Sequence, residues 1–266
     1  MPSPAVIAIL LLAFWDSWRW LVQRTWVTPD EAVTLLVMIA VVTGSAILQW
    51  RRTCTLGRLP AWPFAAALLS YGIAILVAPP IVCAALAVAT TLAAVWCAGH
   101  REAPPLAFWG LCCLVLPIVP TLQFYLGYPM RVVSAVLTVP LLQLNGRAVT
   151  REGTALVWNG EHIQFDAPCS GVTMVWAGML LVFAVATNQR HDFATLARAV
   201  MAGLRLLLVA NVLRAASLFY VETGTMPLQG EGWFQVIGHQ AIGLASFGLA
   251  MLGLLRHLRR AEPCAL

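Results

Sequence analysis

Three residues in a strongly apolar chain have the types that acyl-transfer chemistry needs: Cys169, Arg214 and His239. Cys169 stands in Asp166-Ala167-Pro168-Cys169-Ser170-Gly171, directly ahead of the apolar run 172–187. Pro168 disfavours helix at Ala167 and suits a helix start, and Ser170 can cap the helix that follows. A cysteine in that first turn meets the positive end of the helix dipole, which favours thiolate over thiol. Arg214 lies inside the apolar run 199–221, and His239 lies at the start of the run 236–255. If the three helices present these residues at one end, they assemble a nucleophile, a fixed cation and a base.

Each residue also has a plain structural role to weigh against that reading. Free cysteine is often a small buried hydrophobe, and Cys83, Cys97, Cys112 and Cys113 read that way, mid-helix and without partners. Cys169 differs by its place at a helix start. An arginine at the centre of a membrane helix costs about 2.5–3.5 kcal/mol on insertion scales, so Arg214 is unlike a structural accident. Arg205, earlier on the same run, can instead reach the inner headgroups. A lone histidine is usually a satisfied core residue; the company of Cys169 and Arg214 makes His239 a base. Four positions support the three. Asn211 shares a face with Arg214 and can orient it, or bond a neighbouring helix. Ser170 is the cap, and Asp166 and Glu222 would orient His239 or meet a substrate.

The chain has 266 residues, 61% of them hydrophobic and 10% charged, with a mean hydropathy of +0.83. A soluble domain carries roughly 25% charged residues, so the expected fold class is an all-α polytopic membrane protein. All 16 basic residues are arginines, and no basic patch is interleaved with aromatics, so no nucleic-acid partner is expected. The 7 cysteines include no C-x-x-C pair and indicate neither a disulfide framework nor a zinc site. No metal and no cofactor is expected. The apolar run 5–15 lacks a basic flank and a cleavage site, and reads as a retained first helix.

A span takes about 20 apolar residues. About eight candidates result, at 4–22, 32–50, 61–78, 80–98, 105–124, 171–188, 199–221 and 236–255. Residues 1–260 are read as one integral membrane domain. Four helices fill 1–104, and a catalytic half at 105–260 carries an outer loop at 125–170. With the amino terminus inside, the inner segments hold Arg51, Arg52, Arg58, Arg101, Arg190, Arg198, Arg256, Arg259 and Arg260. The outer segments hold only Arg19, Arg24, Arg131, Arg147 and Arg151, which supports both termini in the cytoplasm. Cys169, Arg214 and His239 then all fall near the outer face. In the outer loop, 131–144 is apolar but too short to cross and reads as an interfacial or re-entrant helix. Asn159-Gly160 then separates two runs of strand formers within 154–165, the strongest short-range signal for a two-residue hairpin. Its second arm leads into the Cys169 turn.

The stretch at 166–171, Asn211-Val212-Leu213-Arg214 and Gly238-His239-Gln240-Ala241-Ile242-Gly243 resemble, in order, the three motifs of the exosortase/archaeosortase family. The resemblance covers roughly 105–255, including the short helix and the hairpin. It departs near the first outer loop, where that family often has a histidine and this chain has Pro29-Asp30-Glu31. No further domain is expected after the last helix, which would make this a short, single-module form. The resemblance implies a membrane-embedded cysteine protease or transpeptidase of the bacterial cytoplasmic membrane, working on its outer side. It implies Cys169 as nucleophile, His239 as base and acid, and Arg214 as the cation of the thiolate or oxyanion. The implied partners are secreted proteins with a carboxy-terminal tag: a short motif (often Pro-Glu-Pro), a transmembrane helix and a basic end. Water, an amine or an envelope polysaccharide would be the acceptor.

The competing class is a non-enzymatic transporter or scaffold for envelope polymers. Such a protein should show broken helices in paired halves with polar groups near the midplane. Here the polar groups gather at one end and no half mirrors the other, which favours the enzyme.

Overall fold

The structure, a computed structural model, describes residues 4–27, 61–99, 103–114, 116–164, 170–224 and 233–260. The helices are α1 (Pro4–Ala13), α2 (Trp15–Val27), α3 (Ala61–Val77), α4 (Pro80–Gly99), α5 (Leu106–Leu114) and α6 (Val119–Leu144). Three strands follow, β1 (Thr150–Glu152), β2 (Ala155–Trp158) and β3 (Glu161–Gln164). The chain then continues through α7 (Val172–Gln189), α8 (Phe193–Glu222) and α9 (Trp233–Arg260). Among the described residues, five helices are long and apolar enough to cross a membrane: α4, α6, α7, α8 and the 241–258 part of α9. Many of their large apolar side chains face outward, such as Phe124, Val209, Leu244 and Leu249, as lipid contact requires. This is a multi-pass, mostly helical membrane protein with one small sheet.

The expected count of about eight spans is not reproduced. The span expected at 32–50 lies outside the described residues. At 4–22 the chain forms α1 and α2, whose hydrogen bonds continue across Phe14 (Phe14 N to Leu10 O, 3.1 Å; Trp18 N to Phe14 O, 3.1 Å). Asp16 and Arg19 on α2 are both exposed and do not pair. The largest difference concerns the span expected at 105–124 and the short helix expected at 131–144. Instead α5 stops at Leu114, near Pro117, and one unbroken 26-residue helix runs from Val119 to Leu144. Pro129 and Pro140 sit inside it. Each proline removes one ladder bond and bends a helix without having to end it, and Thr138 Oγ1 donates to Ser134 O at 2.7 Å between them. Arg131 therefore lies within a helix long and apolar enough to cross a membrane, and not in a loop. It leaves the outer arginine count, and the loop after α6 begins at 145.

The described residues fall into two compact units, one drawn from 1–118 with 183–196 and the other from 119–182 with 197–266. In the first, Phe14 meets Tyr71 edge-on at 4.6 Å, and Ser17 and Tyr71 share a 2.9 Å hydrogen bond. The ring of Phe183 occupies the space a side chain at Gly110 would need, so α5 and the end of α7 pack closely.

The second unit holds the site. Its sheet has the order β1-β2-β3, antiparallel throughout. Trp158 pairs with Glu161 across Asn159-Gly160, whose φ values of 51° and 82° are the signs a type I′ turn demands. β1 was not read from the sequence; it joins through Gly153, at φ 61°, the glycine a tight two-residue link needs. Leu156 of β2 is fully buried and packs with Leu142 near the end of α6 and Phe219 near the end of α8. Arg147 lies between the rings of Trp158 (5.8 Å) and Tyr220 (5.9 Å), a cation–π staple joining the loop, β2 and α8. The hairpin is thus fixed to the ends of two long helices before the chain turns toward Cys169.

Deeper in this unit, glycines let helices approach. A side chain at Gly178 of α7 would collide with Leu207 of α8, and one at Gly203 of α8 would meet Met179 and Val182 of α7. Gly253 of α9 faces Leu206. Small residues at crossing points are the usual device where lipid, and not water, is the solvent.

Candidate active site

The start of α7 is built around Ser170 and Gly171. Ser170 is 1% exposed. Its Oγ accepts from Val172 N at 3.3 Å, satisfying one donor at the helix start, and donates to Gln123 Oε1 of α6 at 2.9 Å. One hydroxyl therefore caps α7 and ties it to α6. Gln123 reaches Ser170 by lying along its own helix over Gly127, where a methyl group would come within 3.1 Å of Nε2. Gly171 has φ 78°, and Val175 N donates to its carbonyl at 2.9 Å as the helix opens.

Asn211 of α8 packs on the same turn. A methyl group at Gly171 would come within 2.7 Å of its Cγ, 2.8 Å of Nδ2 and 2.9 Å of Oδ1. Asn211 is 2% exposed, and its Nδ2 donates to Ser134 Oγ of α6 at 2.8 Å. It bridges α6 and the turn at Gly171. Arg214, one turn farther along α8, is half-buried against α9, where a methyl group at Gly243 would lie 3.5 Å from Nε and Nη2. His239 precedes Gly243 by one turn of that helix.

Cys169 and Asp166 lie outside the described residues, and for His239 the structure gives the backbone position on α9. What comes together is the frame around them. Gly171, two residues from Cys169, meets Asn211; Gly243, one turn from His239, meets Arg214. Glu222, the last residue of α8, is exposed and stands about 12 Å along the helix from Arg214. His162 sits on β3 with Nδ1 3.8 Å from Glu152 Oε2, both side chains largely in the open. Met174 and Trp176 are buried, as packing residues should be. Cys83 and Cys112 are buried as expected, whereas Cys113 is exposed.

The Gly171 turn is recessed from the sheet. Ser134 stands about 15 Å before the end of α6, and Asn211 about 16 Å before the end of α8. The ends of two long helices and the sheet on them therefore extend beyond the turn at Gly171. The sequence reading missed Gln123 and Ser134. Their signal was the line of non-aliphatic residues 123, 127, 131 and 134 on one helical face, visible only if 119–144 is read as one helix.

Among the described residues, no group of His, Cys, Asp and Glu is placed to hold a metal ion.

No curated protein and no solved structure matches this chain. The family model described as transmembrane exosortase (Exosortase_EpsH) matches residues 3–256, nearly its whole length. With that match over residues 3–256, the chain belongs to the transmembrane exosortase family.

Proposed function

We propose that this exosortase is a cysteine peptidase and transpeptidase that cuts the carboxy-terminal sorting signal of exported proteins. The observation that supports it most is the meeting of Asn211 and Arg214 with Gly171 and Gly243, glycines that flank Cys169 and His239. The Cys169 thiolate attacks the backbone carbonyl carbon near the sorting motif, and the carbonyl oxygen takes the negative charge. Arg214 offsets that charge from its half-buried position, where a fixed cation acts strongly. As the tetrahedral species collapses, the C–N bond breaks and His239 gives its proton to the departing amine of the tail helix. A thioester to Cys169 remains. Water or an amine, deprotonated by His239, attacks it and releases the thiol.

The reaction takes place at the outer side of a bacterial cytoplasmic membrane, with residues 105–260 as the catalytic half. The substrate carries a short motif, a transmembrane helix and a basic end, and the acceptor is water, an amine or an envelope polysaccharide. The test is cleavage of such a tagged protein by Cys169→Ala, His239→Ala, Arg214→Ala and Arg214→Lys enzymes, per molecule of folded protein. Residues acting as one unit should each cost nearly what the double change costs. Unimpaired cleavage by His239→Ala would remove the base from this scheme.

A further inference from the structure

The start of α7 fixes a level that α6, α8 and α9 share. Val172–Gln189 carries no charged residue, and its 18 residues make about 27 Å of helix. The hydrocarbon of a bilayer is about 30 Å thick, so α7 fits it end to end. At its start, Ser170 bonds Gln123, and Gly171 packs on Asn211, which bonds Ser134. Arg131 lies on α6 between those two attachments. One turn nearer the sheet than Asn211, Arg214 meets Gly243, and the apolar window of α9 opens at Ala241. Outward-facing apolar residues of α8 end at the same level. Met201, Leu204, Val209 and Leu213 are large, apolar and exposed, and no such residue occurs from 214 to 222.

Both α6 and α8 continue past this level, by about 15 Å beyond Ser134 and about 16 Å beyond Asn211. The apolar residues of these stretches face one another and the sheet: Ala215, Ala216 and Phe219 bury with Leu142 and Leu156. That core closes without lipid, which is why hydropathy alone carries the span on to 221. On α6, Val136 and Leu137 are exposed within a turn of Ser134, and Leu144 is exposed at the tip; single exposed leucines are ordinary in water. The arginines agree. A charge in hydrocarbon is costly and reaches for the surface. Measured from the helix tips, Arg131 would lie about 20 Å deep and Arg205 about 26 Å deep. Measured from Ser134 and Asn211, those depths fall to about 4.5 Å and about 9 Å. We infer that the lipid surface on the sheet side meets this unit at the level of Arg131 and Asn211, and that 135–144 and 212–222 stand outside the hydrocarbon as a pedestal. A headgroup layer takes up about 5–8 Å of that height, so the sheet is held in water, clear of the lipid. This level holds whichever face the sheet occupies and whatever chemistry Cys169 performs.

The experiment adds one cysteine at a time to the full-length protein in lipid vesicles, with reagent supplied on both sides. Leu137→Cys and Ser217→Cys lie past the level; Tyr125→Cys and Leu204→Cys lie about 10–14 Å before it on the same two helices. Each variant is reacted with a charged, membrane-impermeant methanethiosulfonate and, separately, with the small neutral N-ethylmaleimide. Peptide mass spectrometry reads the added site apart from the native cysteines. The ratio of charged to neutral rate removes differences in local packing between sites. It should be higher at 137 and 217 than at 125 and 204 on the order of tenfold or more, because hydrocarbon excludes the charged reagent. Val136→Cys, on the same outer side of α6, replaces Leu137→Cys if that variant accumulates poorly. Ratios at 137 and 217 as low as those at 125 and 204 would place both helices in lipid to their tips and overturn the inference. High ratios at all four sites would place the surface elsewhere and overturn it equally.

Discussion

The side-chain amide of Asn211 packs on the backbone of Gly171 so closely that a methyl group there would come within 2.7 Å of its carbon. Since Asn211 also bonds Ser134, and Ser170 bonds Gln123, α6 is the platform on which the start of α7 is set. A nucleophile's placement matters on this scale: a shift of about 1 Å can cost on the order of a hundredfold in rate.

Gly171→Ala should therefore do double damage. A side chain at φ 78° costs about 1–2 kcal/mol, and the added methyl displaces Asn211. Adding Asn211→Ala to Gly171→Ala should recover part of the stability, because the collision goes while the backbone strain stays. Thermal unfolding of the two variants in detergent, with cleavage per molecule, checks this. Equal stability of Gly171→Ala and wild type would contradict it.

The contact between Arg214 and Gly243 predicts a size threshold. A methyl group at Gly243 would lie at ordinary contact distance from the guanidinium, 3.5 Å from its nearest atoms. Gly243→Ala should thus cleave substrate at close to the wild-type rate, while Gly243→Leu pushes Arg214 aside and loses on the order of a hundredfold. Arg214→Lys keeps the charge without the planar fork and should restore little. Cleavage kinetics of the three variants decide it.

Much of this frame could be read from the sequence, and what could not has identifiable causes. Asn159-Gly160 announced its hairpin because few residues tolerate two successive positive φ values. The Cys169 turn, Arg214 and His239 stood out because polar types are rare in apolar runs. The reach of α6 was hidden because Pro129 looks like a boundary, whereas packing against the sheet and α8 carries the helix through it. Once 119–144 was divided, Gln123, Arg131 and Ser134 no longer shared a face, and their common direction was lost. β1 escaped because Thr150–Glu152 is short and exposed, with no alternation to detect.

The link between α7 and α8 gives a pH prediction. Thr195 hydrogen-bonds Asp192, with its backbone N 3.3 Å from Oδ1, and holds the carboxyl below its ordinary value of 3.8. A lowered folded value means the charged cap stabilises above the ordinary value, and its contribution is lost as pH falls through the folded one. Wild type should be more stable than Asp192→Asn at neutral pH, and the gap should close in that acid window. Unfolding curves across pH measure it; a gap that widens toward acid would reverse the sign.

The sheet offers the cleanest probe of sidedness. Gly160 is a poor labelling site, because a side chain at φ 82° strains the turn. Glu161→Cys, exposed at the start of β3, avoids that strain. A membrane-impermeant thiol reagent should modify it from outside intact cells. Labelling only after the cytoplasmic side is opened would invert the topology and move the reaction to the inner face.

The central claim is that Cys169 carries the substrate through a thioester. Full-length enzyme in vesicles is mixed with a reporter protein ending in the sorting motif, transmembrane helix and arginine tail, then quenched and analysed by mass. The account predicts a reporter fragment attached to Cys169, released by hydroxylamine, with both the adduct and the cleavage absent from folded Cys169→Ala. Cleavage by folded Cys169→Ala at the wild-type rate would contradict it.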